Sequence, residues 1–363
     1  MNNILPKLHF RSLHYEISWG CNIACPMCTF HDDHHHKEFT NLEQVFSLSE
    51  GMELFKHVHM GDGSEPFINP NWYEIILFFK SKGKEVSLQT NAKYIRSLEI
   101  AKKIVKSGLD RISISIDGIN DETISRIRKG ITYKEIISAI DYINQAKKEL
   151  KSDTPRLESN VVAMKSNIAQ LEGLIDVLID KNFKKVRIGF LELREINKSL
   201  ISELLIYEKK RTLAVIEKIQ DKIQSKNNSL DLDIEVFNLM GTHIKDNCSA
   251  YFERLYLRQD GNLYACYGKK LLGNAYNSGL LECLSSRDYK NFIGVVETPE
   301  NNICSACRFC RVMGFDEINS HFGHAVVNNI GMDIIQQSIE YVENGGDVKQ
   351  YWNRYFENEG KNN

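Results

Sequence analysis

Strand-like and helical segments alternate regularly through most of this chain, and that alternation predicts an α/β fold. Three observations carry it. Six strand-like runs alternate with helical patterns between Tyr15 and Ser225 of the 363-residue sequence. Such alternation builds a parallel sheet with helices outside, and six units make an incomplete barrel. From Ile234 the pattern changes to short strands, turns and cysteines, which reads as a smaller α+β region.

The expected strands are Tyr15–Trp19, Val58–Gly61, Glu85–Thr90, Arg111–Ile116, Leu157–Ala163 and Lys185–Phe190. The expected helices are Leu42–Phe55, Asn71–Ser81, Ser97–Ser107, Tyr133–Leu150, Ile168–Lys181 and Ser202–Ser225. In the fourth strand Ser115 and Asp117 fall on one face. In the fifth, Glu158 and Asn160 alternate with apolar residues, and the sixth carries Arg187 with Glu192 beyond it. Polar residues of this kind either face reactants inside a barrel or face solvent. Lys222–Asp233 is a polar surface connection, with the boundary near Asp231. The expected division is 1–230, 231–315 and 316–363, the last a helical pattern at Met332–Tyr341 with a polar tail. Gln259-Asp260-Gly261 fits a hairpin turn.

Composition narrows the class. Hydrophobic residues make up 42% and charged residues 26%, enough for a core in a soluble protein. A net charge of −2 argues against a broad nucleic-acid or membrane surface. No apolar run approaches the roughly 18 residues of a membrane span, and the N-terminus has no signal-peptide core. Nine Cys in such a chain read as metal ligands rather than disulfides, in a reducing, cytoplasmic setting.

The most informative stretch is Gly20-Cys21-Asn22-Ile23-Ala24-Cys25-Pro26-Met27-Cys28, with the spacing C-x-x-x-C-x-x-C. Iron–sulfur cubes are usually closed by four thiolates. Three leave one iron open to a chelating small molecule. A zinc knuckle competes: closed zinc sites take four ligands, and His31, His34, His35 and His36 stand close enough in sequence to complete one.

The triplet, directly after a strand-like run, resembles the signature of the radical S-adenosylmethionine (SAM) superfamily. The resemblance implies a six-unit (β/α) barrel with reactants at the C-terminal strand ends, where parallel α/β folds generally bind ligands. It also implies that the open iron binds SAM, that an electron cleaves SAM, and that a 5′-deoxyadenosyl radical abstracts a substrate hydrogen. A flavodoxin- or ferredoxin-type donor would supply the electron. Met27 stands where the family often has an aromatic residue against the adenine, and a thioether can pack on a ring. Gly61-Asp62-Gly63-Ser64-Glu65 resembles the family's glycine-rich contact to the methionyl amino group, with Glu65 able to accept from an ammonium. Asn91, Ser115 and Asn160 fall at strand positions near SAM. Arg128 resembles an arginine that meets the SAM carboxylate, the bland alternative being a surface Arg–Glu pair.

Cys248, then Gly261 leading to Cys266, then Cys304, Cys307 and Cys310, resemble the SPASM/Twitch extension of these enzymes. The second C-x-x-C-x5-C-x3-C run of a full SPASM domain is absent. The reading is therefore a Twitch-like domain with one auxiliary [4Fe–4S] cluster on Cys248, Cys266, Cys304 and Cys307. Cys310 is either a substitute ligand or, with Cys283, a candidate hydrogen donor; Cys283 otherwise reads as buried filler.

These features imply a redox enzyme that attacks an unactivated C–H bond. The substrate is a sugar- or aminocyclitol-like metabolite or a ribosomal peptide. A peptide epimerase or crosslinking maturase is the alternative within the family, and a non-catalytic iron–sulfur electron carrier the alternative outside it. The N-terminus lacks a winged-helix element for leader capture. That favours a small molecule, a short peptide or a leader presented by another protein.

Overall fold

The computed structural model of the chain describes residues 10–29, 37–225, 231–234, 254–265, 270–297 and 329–359. Strand β1 (Phe10–Tyr15) is followed by β2 (Ser18–Trp19) and β3 (Glu38–Phe39), a short antiparallel pair outside the main sheet. Next to β1, in order, lie β4 (Phe55–Met60), β5 (Glu85–Thr90), β6 (Arg111–Ser115), β7 (Arg156–Ala163) and β8 (Lys185–Phe190), all parallel. A further parallel strand, β9 (Asp231–Ile234), extends the sheet beyond β8 at the segment expected to open the Cys-rich region. On the other edge β10 (Arg254–Leu257) pairs parallel with β1. It turns at Gly261 into antiparallel β11 (Asn262–Ala265), and β12 (Lys270–Asn274) completes the hairpins. The expected hairpin at Gln259–Gly261 is present.

Among the described residues, seven α-helices punctuate the sheet: α1 (Leu42–Ser47), α2 (Trp72–Ser81), α3 (Leu98–Lys106), α4 (Asp121–Ile127), α5 (Tyr133–Leu150), α6 (Leu171–Asp180) and α7 (Lys209–Ser225). Side-chain caps start several of them: Asn41 and Thr132 close capping boxes, and Ser97 and Asn120 cap α3 and α4. The helix expected over Leu42–Phe55 stops at Ser47. The Ser47 and Ser49 hydroxyls donate back to the Gln44 and Phe46 carbonyls, each at 2.8 Å, and Gly51 takes φ +93°. The first ladder runs over Phe10–Tyr15, earlier than the expected Tyr15–Trp19, because its partners Phe55 to Met60 lie opposite Phe10 to Tyr15.

Parity decides what each face of the sheet does. Val58, Val86, Ile112, Ile114, Leu157, Val186 and Ile188 are buried in one core with Ile75, Ile104, Ile136, Ile140 and Leu174 of the helices. The other parity carries Ser12, His14, His57, His59, Ser87, Gln89, Ser113, Glu158 and Asn160. On this inner face, residues of alternate strands meet over the strand between them. Asn160 of β7 donates to Gln89 of β5, and Arg111 of β6 donates to His57 of β4 at 3.0 Å.

After β12 come α8 (Ala275–Ser278), α9 (Leu280–Ser285) and α10 (Arg287–Glu297). Tyr276 ties this region to the barrel: its hydroxyl lies 2.6 Å from that of Tyr15 and 3.1 Å from that of Thr40. The polar tail beyond the expected C-terminal helix is itself helical. It forms α11 (Met332–Glu343) and α12 (Val348–Glu359), and the buried Trp352 donates to the Tyr207 hydroxyl at 2.9 Å. Among the described residues no helix is long and apolar enough to cross a membrane.

One glycine fixes the turn leaving β4. Gly61 has φ +93°, and a Cβ there would lie 2.6 Å from the Gln89 carbonyl oxygen and 2.9 Å from Pro66. Both the backbone conformation and the space exclude a side chain. Gly61→Ala is expected to cost about 3 kcal/mol of stability. Denaturant unfolding checks this, and a loss below about 0.5 kcal/mol would mean that the turn relaxes freely.

Candidate active site at the strand ends

The cysteine loop sits over the C-terminal ends of β1, β4 and β5. The Gly20 carbonyl accepts from Glu65 N at 3.0 Å, and Ala24 N donates to the Lys129 carbonyl at 2.8 Å. Asn91 Nδ2 donates to Asn22 Oδ1 at 2.8 Å and lies 3.4 Å from Cys21 Sγ, while Lys93 Nζ donates to the Asn22 carbonyl at 3.1 Å. Cys25 is buried, and Cys21 and Cys28 are half-buried. Burial pushes the Cys21 thiol up to about 11 and the Cys25 thiol up to about 12, so these sulfurs keep their protons until a metal displaces them.

The donor set discriminates between metals. The three sulfurs do not converge within 4.8 Å of one another, whereas Zn–S bonds of ~2.3 Å would bring them closer. Sulfurs more widely spaced suit separate irons of one cluster. His31, His34, His35 and His36 lie outside the described residues.

A cavity of 280 Å³ opens beside the thiols. Its lining includes Cys21, Cys25, Cys28, Met27, all of Gly61–Glu65, Asn91, Ser115 and Arg128. Of the residues that the sequence assigned to SAM, Asn160 alone is elsewhere. It faces a second, inner cavity, and Val162, two residues further along β7, lines the first. Val162, Phe190 and Leu191 give the cavity an apolar wall that no motif announced.

Two carboxylates, one buried and one half-buried, shape the glycine-rich turn. Glu65 accepts from Thr90 Oγ1 and from Asn91 N, both at 2.8 Å, and from Phe67 N at 3.3 Å. These bonds tie the turn to the end of β5, and Glu65 still lines the cavity. Burial raises Glu65 to about 7. Glu16, raised to about 7 by burial and then by Asp62, accepts from Gly63 N at 2.7 Å and from the Ser64 hydroxyl.

Arg128 is not a surface residue. Its Nε lies 2.6 Å from Asp117 Oδ2, both groups are buried, and Asp117 also accepts from Val162 N at 2.7 Å. Asp117 therefore aims the guanidinium and steadies the β7 wall. Cys283 is buried in α9 with its sulfur 3.5 Å from the Ser278 hydroxyl, and it lines neither cavity. Cys248, Cys266, Cys304, Cys307 and Cys310 lie outside the described residues.

Sequence reasoning missed the histidines of the inner face. Arg111 only donates, so His57 Nε2, 3.0 Å away, is an acceptor. The Ser87 hydroxyl, 2.7 Å from the same nitrogen, must then donate to it, and accepts in turn from His59 Nδ1 at 2.7 Å. His59 Nε2 is left facing Asp62 Oδ1 at 3.4 Å, and His14 Nδ1 contacts the other Asp62 oxygen. Burial alone would raise Asp62, but His14 and His59 outweigh it and hold the carboxylate well below its ordinary value. Burial lowers His14 against the pull of Asp62. The sequence signal was His57-Val58-His59, two histidines of one strand parity.

His57 is pushed down to about 3, first by burial and then by Arg111. The unfolded chain takes up this proton below 6.5 while the folded chain refuses it. The contribution is therefore complete above pH 6.5 and declines as pH falls toward 3. By pH 5 the loss is about 2 kcal/mol. Anaerobic melts from pH 8 to 5 should show wild type falling more steeply than His57→Gln; parallel curves would contradict the assignment.

Comparison with known proteins supplies the family. Residues 15–178 match the model of the radical SAM superfamily, and residues 248–311 match that of the SPASM iron–sulfur cluster-binding domain. A probable GTP 3′,8-cyclase of Sulfurisphaera tokodaii is 27% identical over 259 residues, 68% of this chain and 77% of that protein. One of Methanocaldococcus jannaschii is 25% identical over 299 residues, 77% of this chain and 95% of that protein. Among solved structures, Streptococcus suis SuiB bound to S-adenosylmethionine superposes with a TM-score of 0.63 at 15% identity, covering 88% of this chain and 77% of SuiB. Native anSMEcpe with bound AdoMet gives 0.61 at 18% identity, covering 87% and 92%. The chain belongs to the radical SAM superfamily of enzymes, whose cofactors are SAM and a [4Fe–4S] cluster, and it carries a C-terminal SPASM domain for auxiliary iron–sulfur.

Proposed function

We propose that the chain is a radical SAM oxidoreductase that removes hydrogen from an unactivated C–H bond of a sugar- or aminocyclitol-like metabolite or of a peptide. One observation carries the reading. The thiol-lined cavity and the inner cavity share Asp62 and Gln89 as a common wall, so a substrate on one side lies next to SAM on the other.

When bound, the cluster and SAM supply reductive cleavage and hydrogen-atom abstraction from carbon. Cys21, Cys25 and Cys28 would hold the cluster. The Gly61–Ser64 turn, Asn91, Ser115 and Arg128 would position SAM, with Met27 against the adenine. Val162, Phe190 and Leu191 exclude water from one side of that cavity. The auxiliary ligands in this reading are Cys248, Cys266, Cys304 and Cys307, a single cubane, with Cys310 as substitute ligand or hydrogen donor. An external flavodoxin- or ferredoxin-type protein is the electron source.

The relatives divide on substrate. Those named GTP 3′,8-cyclases favour a small molecule; a SuiB structure bound to the precursor peptide SuiA and an anSMEcpe structure bound to a peptide favour a peptide reading.

Anaerobically reconstituted protein should bind about eight iron, two cubanes' worth. It should form 5′-deoxyadenosine from SAM and dithionite. Cys25→Ala should lose about half of the iron and all of the cleavage. Wild-type cleavage in that variant would overturn the assignment of the triplet, and loss of all the iron with it would remove the auxiliary cluster.

A further inference from the structure

Among the described residues, one group brings three metal-ligating side chains within reach of a single ion. His14, His59 and Asp62 each offer one ligand atom, and these atoms lie within 4.8 Å of one another. His14 and His59 stand opposite each other on β1 and β4. Asp62 meets them from the turn after β4. All three line the inner cavity, of 170 Å³, and Asp62 lines the thiol-lined cavity as well. The Asp62 side chain is 37% exposed and the imidazoles 12% and 16%, so an ion can reach the carboxylate.

Proximity alone does not make a metal site. The hydrogen bonds supply a second, independent observation. Arg111 only donates, so His57 Nε2 accepts from it at 3.0 Å. The Ser87 hydroxyl gives its one proton to the same nitrogen at 2.7 Å, and accepts from His59 Nδ1, also at 2.7 Å. His59 Nδ1 therefore carries a proton. In a neutral imidazole the other nitrogen then holds a lone pair. That nitrogen, Nε2, faces Asp62 Oδ1 at 3.4 Å, while His14 Nδ1 contacts the other oxygen of the same carboxylate. A lone pair set against a carboxylate oxygen is repelled by it. A cation between them turns the repulsion into attraction.

The donor set says which cation. Two imidazoles and one carboxylate suit zinc or ferrous iron, whereas magnesium and calcium take oxygen ligands. Three protein ligands leave coordination positions open, as in catalytic rather than structural zinc sites. The surrounding shell is built as well. A ligating histidine ordinarily gives its second N–H to a neighbour that fixes the ring, and Ser87 takes that of His59. Five cations also line the inner cavity. Arg111, the one in this network, is directed toward His57, Glu85 and Glu158 rather than toward the three ligands. Glu16, pushed up by burial and then by Asp62, adds a second acid on the carboxylate side.

We propose that His14, His59 and Asp62 hold a divalent transition-metal ion, of the zinc or ferrous class, at the wall between the two cavities. All three ligands line the inner cavity, so the open positions face it, where water or an oxygen group of a ligand completes the coordination. This ion is separate from the iron–sulfur clusters. Its binding requires neither SAM nor turnover, and so does not depend on the radical reading.

The experiment is anaerobic equilibrium dialysis of cluster-loaded, chelator-washed protein against Co²⁺, which takes the same ligands, with bound cobalt counted by elemental analysis. Wild type should bind one equivalent with a Kd below about 10 μM. His14→Gln and His59→Gln should each weaken that equivalent about a hundredfold or more. Ser87→Ala contacts no ion, but it frees His59 to carry its proton on Nε2, and should weaken binding about tenfold. Melts within about 3 °C of wild type, with unchanged iron, establish that the variants are folded. X-ray absorption at the cobalt edge of wild type needs no variant: it should show imidazole and oxygen neighbours and no sulfur. Absence of a tight equivalent would overturn the proposal in favour of a protonated His59 paired with Asp62. Sulfur neighbours, or binding unchanged in both histidine variants, would overturn it too. Formation of 5′-deoxyadenosine by the same wild-type preparation reports separately on the radical reading.

Discussion

Glu65, buried, and Glu16, half-buried, are carboxylates at the mouth of a parallel sheet, and the site is built around them. Burying such a group costs several kcal/mol unless hydrogen bonds replace its water. Here they do: Glu65 gathers donors from β5 and its own turn, and Glu16 gathers the amide of Gly63 and the hydroxyl of Ser64. The strand ends are thereby tied to one another, and the glycine turn is fixed beside the cavity that the three thiols line. Gly20, which precedes the first Cys, is bonded to the same turn through Glu65 N, so the cysteine loop and the glycine turn are tied together.

Asp62 joins this unit to the interior of the barrel. It belongs to the turn, yet its oxygens face His14 and His59 on the inner face. The hydrogen-bonded series from Arg111 through His57 and Ser87 ends at His59, whose Nε2 lies 3.4 Å from Asp62 Oδ1. A ligand in the inner cavity and SAM in the outer one would therefore contact opposite sides of the same side chain. Geometry of this kind gives a radical enzyme the close approach that a short-lived reactive carbon requires.

Local motifs were legible in the sequence and register was not. The Cys21–Cys28 loop, the Gly61–Glu65 turn, Asn91, Ser115 and Arg128 converge on one cavity because each lies at a strand end or on the loop after it. Asn160 departs because β7 continues to Ala163, past its pairing of Asn160 with Ser115, so Val162 occupies the level assigned to Asn160. Glu65 offered an ammonium acceptor in sequence; the fold adds that Thr90 and Asn91 also bond to it. His14 and His59 carry no motif, since a polar residue at alternate positions of a strand reads equally as solvent-facing. Their meeting depends on β1 and β4 pairing in parallel with His14 opposite His59, a long-range fact. Cys248, Cys266, Cys304, Cys307 and Cys310 fall within the SPASM match over 248–311.

The central claim is that the thiol loop holds a cluster with one iron open to SAM in the adjoining cavity. Electron paramagnetic resonance of the dithionite-reduced protein, recorded with and without SAM, tests it most directly. The account predicts that SAM shifts the g-values of one [4Fe–4S]⁺ signal and leaves a second, auxiliary signal in place. A spectrum unchanged by saturating SAM would contradict it.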